Sequence, residues 1–112
     1  MKKIEAFVRH ERLNDVSKAL VEAGHRSMIL YDIWYRGTQN EVGQHQETGS
    51  PVLYDFMPKV KIVLIVTDES AQEIVDIICE SAFTGHIGDG KIFILPAEMA
   101  IRIQTKETGD VF

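Results

Sequence analysis

Val60-Lys61-Ile62-Val63-Leu64-Ile65-Val66 runs into Thr67-Asp68-Glu69-Ser70-Ala71-Gln72-Glu73-Ile74-Val75, and the hydrophobic period changes between the two stretches. In the first, Ile62, Leu64 and Val66 share one face of an extended chain and Lys61 lies on the other, while Val63 and Ile65 make the second half apolar on both sides. A strand that is apolar on both faces needs cover on both, so this stretch reads as a central strand. In the second, Ile74, Val75, Ile77, Ile78 and Ala82 continue at helical spacing. Ser70-Ala71-Gln72-Glu73 has the spacing of a capping box, in which the serine and the glutamate satisfy each other's end-of-helix amides.

The same order occurs upstream. Ile4, Ala6 and Val8 alternate with Lys3, Glu5 and Arg9, the period of a strand with one buried face. From Glu11 to Ala23, Leu13, Val16, Ala19, Leu20 and Ala23 recur at three- and four-residue spacing, and Gly24 follows where a left-handed cap would close a helix. Ser27 to Tyr35, rich in β-branched and aromatic residues, reads as a strand, whereas Arg36 to Pro51 is polar and broken by Gly37, Gly43, Gly49 and Pro51. Val52 to Phe56 leads into the central strand as a further extended segment. Downstream, Lys91 to Leu95 is a short apolar strand ending at Pro96, and Ile101-Arg102-Ile103-Gln104 alternates once more before a polar tail. Strand, helix, strand, loop, strand, helix, strand predicts an α+β, ferredoxin-like fold. It is a doubled βαβ whose four-stranded antiparallel sheet carries two helices on one face. Residues 1–112 read as a single domain, with a long loop over about residues 37–53.

Composition narrows the function classes. With 112 residues, 45% of them hydrophobic, the chain suits one modest core. The net charge of −5 comes without any lysine or arginine run, so the electrostatic footprint of a nucleic-acid binder is missing. Met1-Lys2-Lys3-Ile4-Glu5 alternates where a secretory signal needs an unbroken apolar stretch, and no later run is long enough to span a bilayer, so a cytoplasmic protein is expected. Cys79, alone in a helical pattern, is expected to be a small buried core thiol. His10, His25, His45 and His86 are scattered over separate elements and suggest no metal site, although His86, next to the glycine loop, places a titratable group near it. Tyr31, Trp34 and Tyr35 are read as packing in the core or at a subunit interface.

The chemistry is concentrated in Thr84-Gly85-His86-Ile87-Gly88-Asp89-Gly90-Lys91. Rossmann and Walker fingerprints place their glycines between a strand and a following helix, so that the helix start faces a phosphate; here the order is helix, loop, strand, and both are excluded. Three glycines can still place backbone N–H groups around an anion, with Lys91 as a neighbouring point charge. A plain helix-to-strand turn is the competing reading.

This loop with Ile92-Phe93, together with Met1-Lys2-Lys3-Ile4-Glu5-Ala6, Tyr54-Asp55-Phe56-Met57-Pro58-Lys59-Val60-Lys61-Ile62 and Ala100-Ile101-Arg102-Ile103, resembles the P-II nitrogen regulatory proteins over nearly the whole chain. The resemblance implies a non-catalytic signal-transduction regulator that binds an adenine nucleotide in clefts between the subunits of a homotrimer. It implies that Gly88, Asp89, Gly90 and Lys91 hold the phosphates and that Arg102 reaches them from the adjacent subunit. Gly37 and Gln39 would contact the nucleotide, with Gln39 also helping to hold Mg2+ when nucleotide and effector are bound. Lys59 would pair with the carboxylate of 2-oxoglutarate, and Ile29 and Ile65 would line the adenine pocket. The long loop would correspond to the T-loop, which docks onto a membrane transporter or metabolic enzyme.

The sequence departs from the family pattern at Thr38 and Gln104, nucleotide-site positions where arginines are usual. Charge-assisted contacts of about 1.5 to 3 kcal/mol each are thereby lost, the γ-phosphate being affected most, so ADP or AMP is favoured over ATP. Val52 stands where some bacterial members carry a uridylylated tyrosine, and Ser50 reads as a turn serine before Pro51 rather than a phosphorylation site. A P-II-like regulator of another transport process, sensing nucleotide or a small anion such as bicarbonate, is an alternative. A slow nucleotide hydrolase and a ferredoxin-like trimer of the copper-tolerance type are readings from other classes, and nucleotide binding and turnover separate them.

Overall fold

The computed structural model describes residues 1–37 and 56–109. The elements are β1 (Lys2–Val8), a 3-10 turn at His10–Arg12, α1 (Leu13–Glu22), β2 (Ile29–Tyr35), β3 (Met57–Val66), α2 (Asp68–Ala82) and β4 (Lys91–Pro96). The strands form one antiparallel sheet in the order β2-β3-β1-β4. The expected ferredoxin-like sheet with two helices is thus what the chain forms. No helix among the described residues is long and apolar enough to cross a membrane.

The alternation of β1 determines how the sheet is built. Ile4 lies opposite Leu64 on one side and Ile94 on the other, and Ala6 lies opposite Ile62 and Ile92, so apolar side chains line up across three strands on one face. Val16 and Leu20 from α1 and Ile74 and Ile78 from α2 cover this face and complete the core. The helices are also joined at their ends: Arg12 Nε and Nη2 donate to the Ser81 carbonyl at 3.0 and 2.6 Å. That carbonyl is in the last turn of α2, where helical partners run out. Gly24 adopts φ +94°, and the His25 N–H donates to Leu20 O at 2.8 Å, closing α1 as its position suggested.

Two expectations are corrected, the cap of α2 and the burial of Cys79. The cap of α2 is Thr67, whose hydroxyl oxygen accepts the Ser70 N–H at 3.2 Å, so the helix starts before the capping box read at Ser70. Asp68 and Glu69 join its first turn, where the helix dipole favours carboxylates. Cys79 is exposed, because the buried stripe of α2 passes through Ala71, Ile74, Ile78 and Ala82 and leaves residue 79 off it. Residues 101–104, outside the four expected strands, stay out of the sheet: Ile101 bridges Thr108, and Arg102 N–H donates to Glu107 O at 2.9 Å, so the segment folds on itself and leaves Ile103 95% exposed. The β2 aromatics are divided between the two faces of the sheet. Tyr31 and Tyr35 face away from the helices, opposite Lys61 and Met57, while Trp34 lies on the other face opposite Pro58 and is exposed. The extended segment expected at 52–56 lies mostly outside the described residues, as do His45, Ser50 and Val52.

The cap assignment gives a direct check. Thr67→Ala should destabilise the protein by about 1 kcal/mol in urea unfolding, and Ser70→Ala by less than half of that; the reverse order would restore Ser70 as the cap.

Candidate functional site

The loop from Thr84 to Gly90 leaves α2, crosses the end of the sheet and enters β4 beside the C-terminal end of β1. Its backbone turns at three positive-φ glycines, Gly85 (+86°), Gly88 (+102°) and Gly90 (+113°). At Gly90 the constraint is steric as well as torsional, since an added Cβ would lie 1.7 Å from the Phe7 carbonyl oxygen. The loop therefore lies against the backbone of β1 with no room for a side chain there.

Asp89 organises the interior of the loop. Its carboxylate accepts the Thr84 N–H at 2.8 Å, the Gly85 N–H at 3.0 Å and the Thr84 hydroxyl. Arg9 Nε donates to the same carboxylate at 3.1 Å, and Arg9 Nη2 donates to the Ile87 carbonyl at 2.6 Å. Lys59, only 2% exposed, donates from Nζ to the Gly88 carbonyl. Burial alone would push the Asp89 carboxyl up, but the hydrogen bonds from Thr84, Arg9 and Gly85 outweigh it and hold the group well below the usual carboxylate range. The loop is thus built around an ionised aspartate, with two carbonyls tied to basic side chains from β3 and the end of β1.

The residues singled out in the sequence are partly gathered here. Lys59, Gly88, Asp89, Gly90 and Lys91 meet at this end of the sheet. Lys91 lies opposite Phe7, whose ring contacts Tyr35 and Phe93 at 5.7 and 5.8 Å between centroids. Ile29 and Ile65 share the helix-free face with Lys91, but Ile65 lies opposite Lys3. Four positions on β1, about 13 Å along the strand, separate the level of Ile65 from that of Lys91. Arg102 Nη1 lies 3.7 Å from Glu107 of its own chain, in the turn that also contains Gln104, and Gly37 packs beside the Tyr35 ring. Thr38 and Gln39 lie outside the described residues. Arg9 and Thr84 have roles that the sequence did not disclose: Arg9 reads as an outward residue of a strand, and its partner Asp89 is 80 positions away. Between α2 and β4 a 460 Å³ cleft opens, lined by Val75, Ile78, Cys79, Phe83 and Ile92, with Asp89, Gly90 and Lys91 beside them. Among the described residues no group of three or more His, Cys, Asp or Glu side chains is placed to hold a metal ion.

Residues 1–107 match the family model described as Nitrogen regulatory protein P-II. The chain is 41% identical over 112 residues to the nitrogen regulatory protein P-II of Pasteurella multocida (strain Pm70), covering 98% of this chain and 97% of that protein. It is 38% identical over 109 residues to the nitrogen fixation nifHD region GlnB-like protein 1 of Methanobacterium ivanovii, with 97% and 99% covered. The crystal structure of Arabidopsis thaliana PII bound to citrate matches with a TM-score of 0.78 and 34% identity, over 97% of this chain and 85% of that one.

Two outcomes follow from the loop geometry. Gly90→Ala should cost about 3 kcal/mol or more, from the positive φ and the clash with β1 together, measured by urea unfolding. Because the pKa of Asp89 is lowered by folding, its contribution is complete above the unfolded value of about 3.9 and is lost only as pH falls through the depressed folded value. The side-chain carboxyl carbon resonance of Asp89 should therefore be constant between about pH 8 and pH 5 and move only in stronger acid.

Proposed function

The chain belongs to the nitrogen regulatory protein P-II family, whose members are regulatory proteins of signal transduction and not enzymes, and from that membership we propose that it binds an adenine nucleotide at subunit clefts of a homotrimer. The observation that carries this reading is the glycine loop, in which Gly88 and Gly90 hold positive φ beside Lys91. Backbone amides and one exposed lysine suit a phosphate, with no need for a specific side-chain cage. Arg102, exposed near the C-terminal end of the described chain, would reach a neighbouring subunit's phosphates after leaving Glu107.

Assembly is supported by surface composition. Both edge strands expose apolar side chains, among them Ile29, Leu30 and Trp34 on β2 and Phe93, Ile94 and Leu95 on β4. Apolar exposure on this scale is a feature of surfaces that pack against other chains. A trimer would also let Ile29 and Ile65 of one subunit act with phosphate ligands of another, which suits their separation from Lys91 within one chain.

ADP or AMP is the proposed nucleotide, because Thr38 and Gln104 replace two of the positive charges expected around a triphosphate. ATP with Mg2+, the ion being held by the nucleotide phosphates and Gln39, is the arrangement under which 2-oxoglutarate would bind at Lys59. Lys59 supports a carboxylate effector only conditionally, since it is buried and one of its three N–H donors is held by the Gly88 carbonyl. The Arabidopsis relative is described as bound to citrate, which favours carboxylates as an effector class; bicarbonate belongs to the same class of small anions. The signal would pass through the long loop to a membrane transporter or metabolic enzyme, in the cytoplasm.

Calorimetric titration with AMP, ADP and ATP, the last with Mg2+ and with or without 2-oxoglutarate, tests this proposal. Preference for ADP or AMP without a 2-oxoglutarate effect is expected; tight ATP binding enhanced by 2-oxoglutarate would instead mean that Gln39, Lys59 and Lys91 suffice for a nitrogen sensor, and no binding would refute the nucleotide reading. Deleting Gly43 to Gly49 should abolish partner binding and leave nucleotide affinity intact; collapse of nucleotide affinity would make the loop part of the site.

A further inference from the structure

In a planar trans peptide the carbonyl of one residue and the N–H of the next point in opposite directions. Arg9 Nη2 holds the Ile87 carbonyl at 2.6 Å, so the Gly88 N–H is aimed away from the guanidinium. Lys59 holds the Gly88 carbonyl in the same way, so the Asp89 N–H is aimed away from the ammonium. Two consecutive amides are thus oriented by basic side chains that lie behind them, and consecutive amides are what an anion nest requires.

Arg9 does more at this point than supply charge. Its side chain is 13% exposed, and two of its nitrogens are hydrogen-bonded within the chain, Nε to Asp89 and Nη2 to Ile87 O, while Nη1 lies 3.8 Å from the carboxylate of Glu11. Its Nε and Nη2 are thus turned into the loop, toward Asp89 and the Ile87 carbonyl, and not outward. Its planar fork lets it hold a carboxylate and a carbonyl at once, a geometry that the single ammonium of lysine does not reproduce. Asp89, in turn, directs its carboxylate at Arg9, Thr84 and Gly85. A carboxylate turned toward a phosphate would repel it, and these bonds keep this one turned into the loop.

We propose that Arg9 is a positioning residue of the phosphate site, acting with Asp89 as a brace that sets the direction of the loop amides and touching no ligand itself. The proposal rests on the nucleotide reading above. It differs from a direct phosphate contact in that removing the brace alters the free protein before any ligand is added.

The test uses the full chain with Arg9→Lys, Arg9→Met and Asp89→Asn, titrated with ADP and, as a phosphate-free probe, adenosine, alongside amide hydrogen exchange of the free proteins. Each variant should bind ADP roughly tenfold more weakly or worse, bind adenosine as the parent does, and exchange the Thr84 and Gly85 amides, which the Asp89 carboxylate accepts, roughly tenfold faster while those of Ile4 and Ile62 stay protected. ADP affinity within about twofold of the parent would overturn the proposal. So would a loss of ADP affinity with unchanged exchange, which would make Arg9 a direct ligand. If the parent itself binds no ADP, the nucleotide reading fails and the exchange measurement alone decides whether the brace exists. Should Arg9→Met not fold, Arg9→Lys, which keeps the charge and loses the fork, decides the matter.

Discussion

The structure depends on β1 being paired on both of its edges. Its seven residues pair with β3 on one side and six of them with β4 on the other, so one period-two pattern fixes the registers of three strands together. A shift by one residue against either neighbour would move Ile4, Ala6 and Val8 from the helix-covered face to the opposite one. The two helices then have one continuous apolar surface to cover, and Arg12 joins the start of one to the last turn of the other.

That same strand supplies the constraint on the glycine loop. The Phe7 carbonyl forbids a side chain at Gly90, and Arg9, the next residue but one, reaches Asp89 and Ile87. Lys59 contributes from β3, which is held to β1 by the pairing of Val8 with Val60 next to it. Core packing and loop conformation are therefore linked through a few residues at one end of the sheet. A regulatory protein benefits from such a link, because a ligand that favours one arrangement of the loop acts on groups anchored in the sheet.

Most of the fold was legible because its elements have strong, uninterrupted periods. The alternation of Ile4, Ala6 and Val8 corresponds to the buried positions of β1, and Gly24 marks the end of α1. The errors arose where a local pattern was too short or too ambiguous. Ser70 and Thr67 are both hydroxyl residues near one helix start, and the end of β3 decides between them by presenting Thr67 in an extended conformation. Cys79 follows the buried Ile78 in sequence but turns about 100° from it on the helix, which brings it out of the core. Ile101 and Ile103, left outside the four expected strands, do stay out of the sheet, because the backbone of Arg102 finds its partners in Glu107 and Lys106.

For the candidate site, the sequence by itself determined the glycine positions, the lysine beside them and the family, because backbone freedom and a run of specific residues are local properties. Only the tertiary structure decided what each polar group faces. Asp89 was read as a phosphate ligand, and its carboxylate is turned into the loop; Arg9 was read as the outward residue of a strand, and it lies against that carboxylate. The physical reason is that a side chain's partners depend on which segments the sheet brings together, and the pairing of β1 with β4 joins residues 80 positions apart.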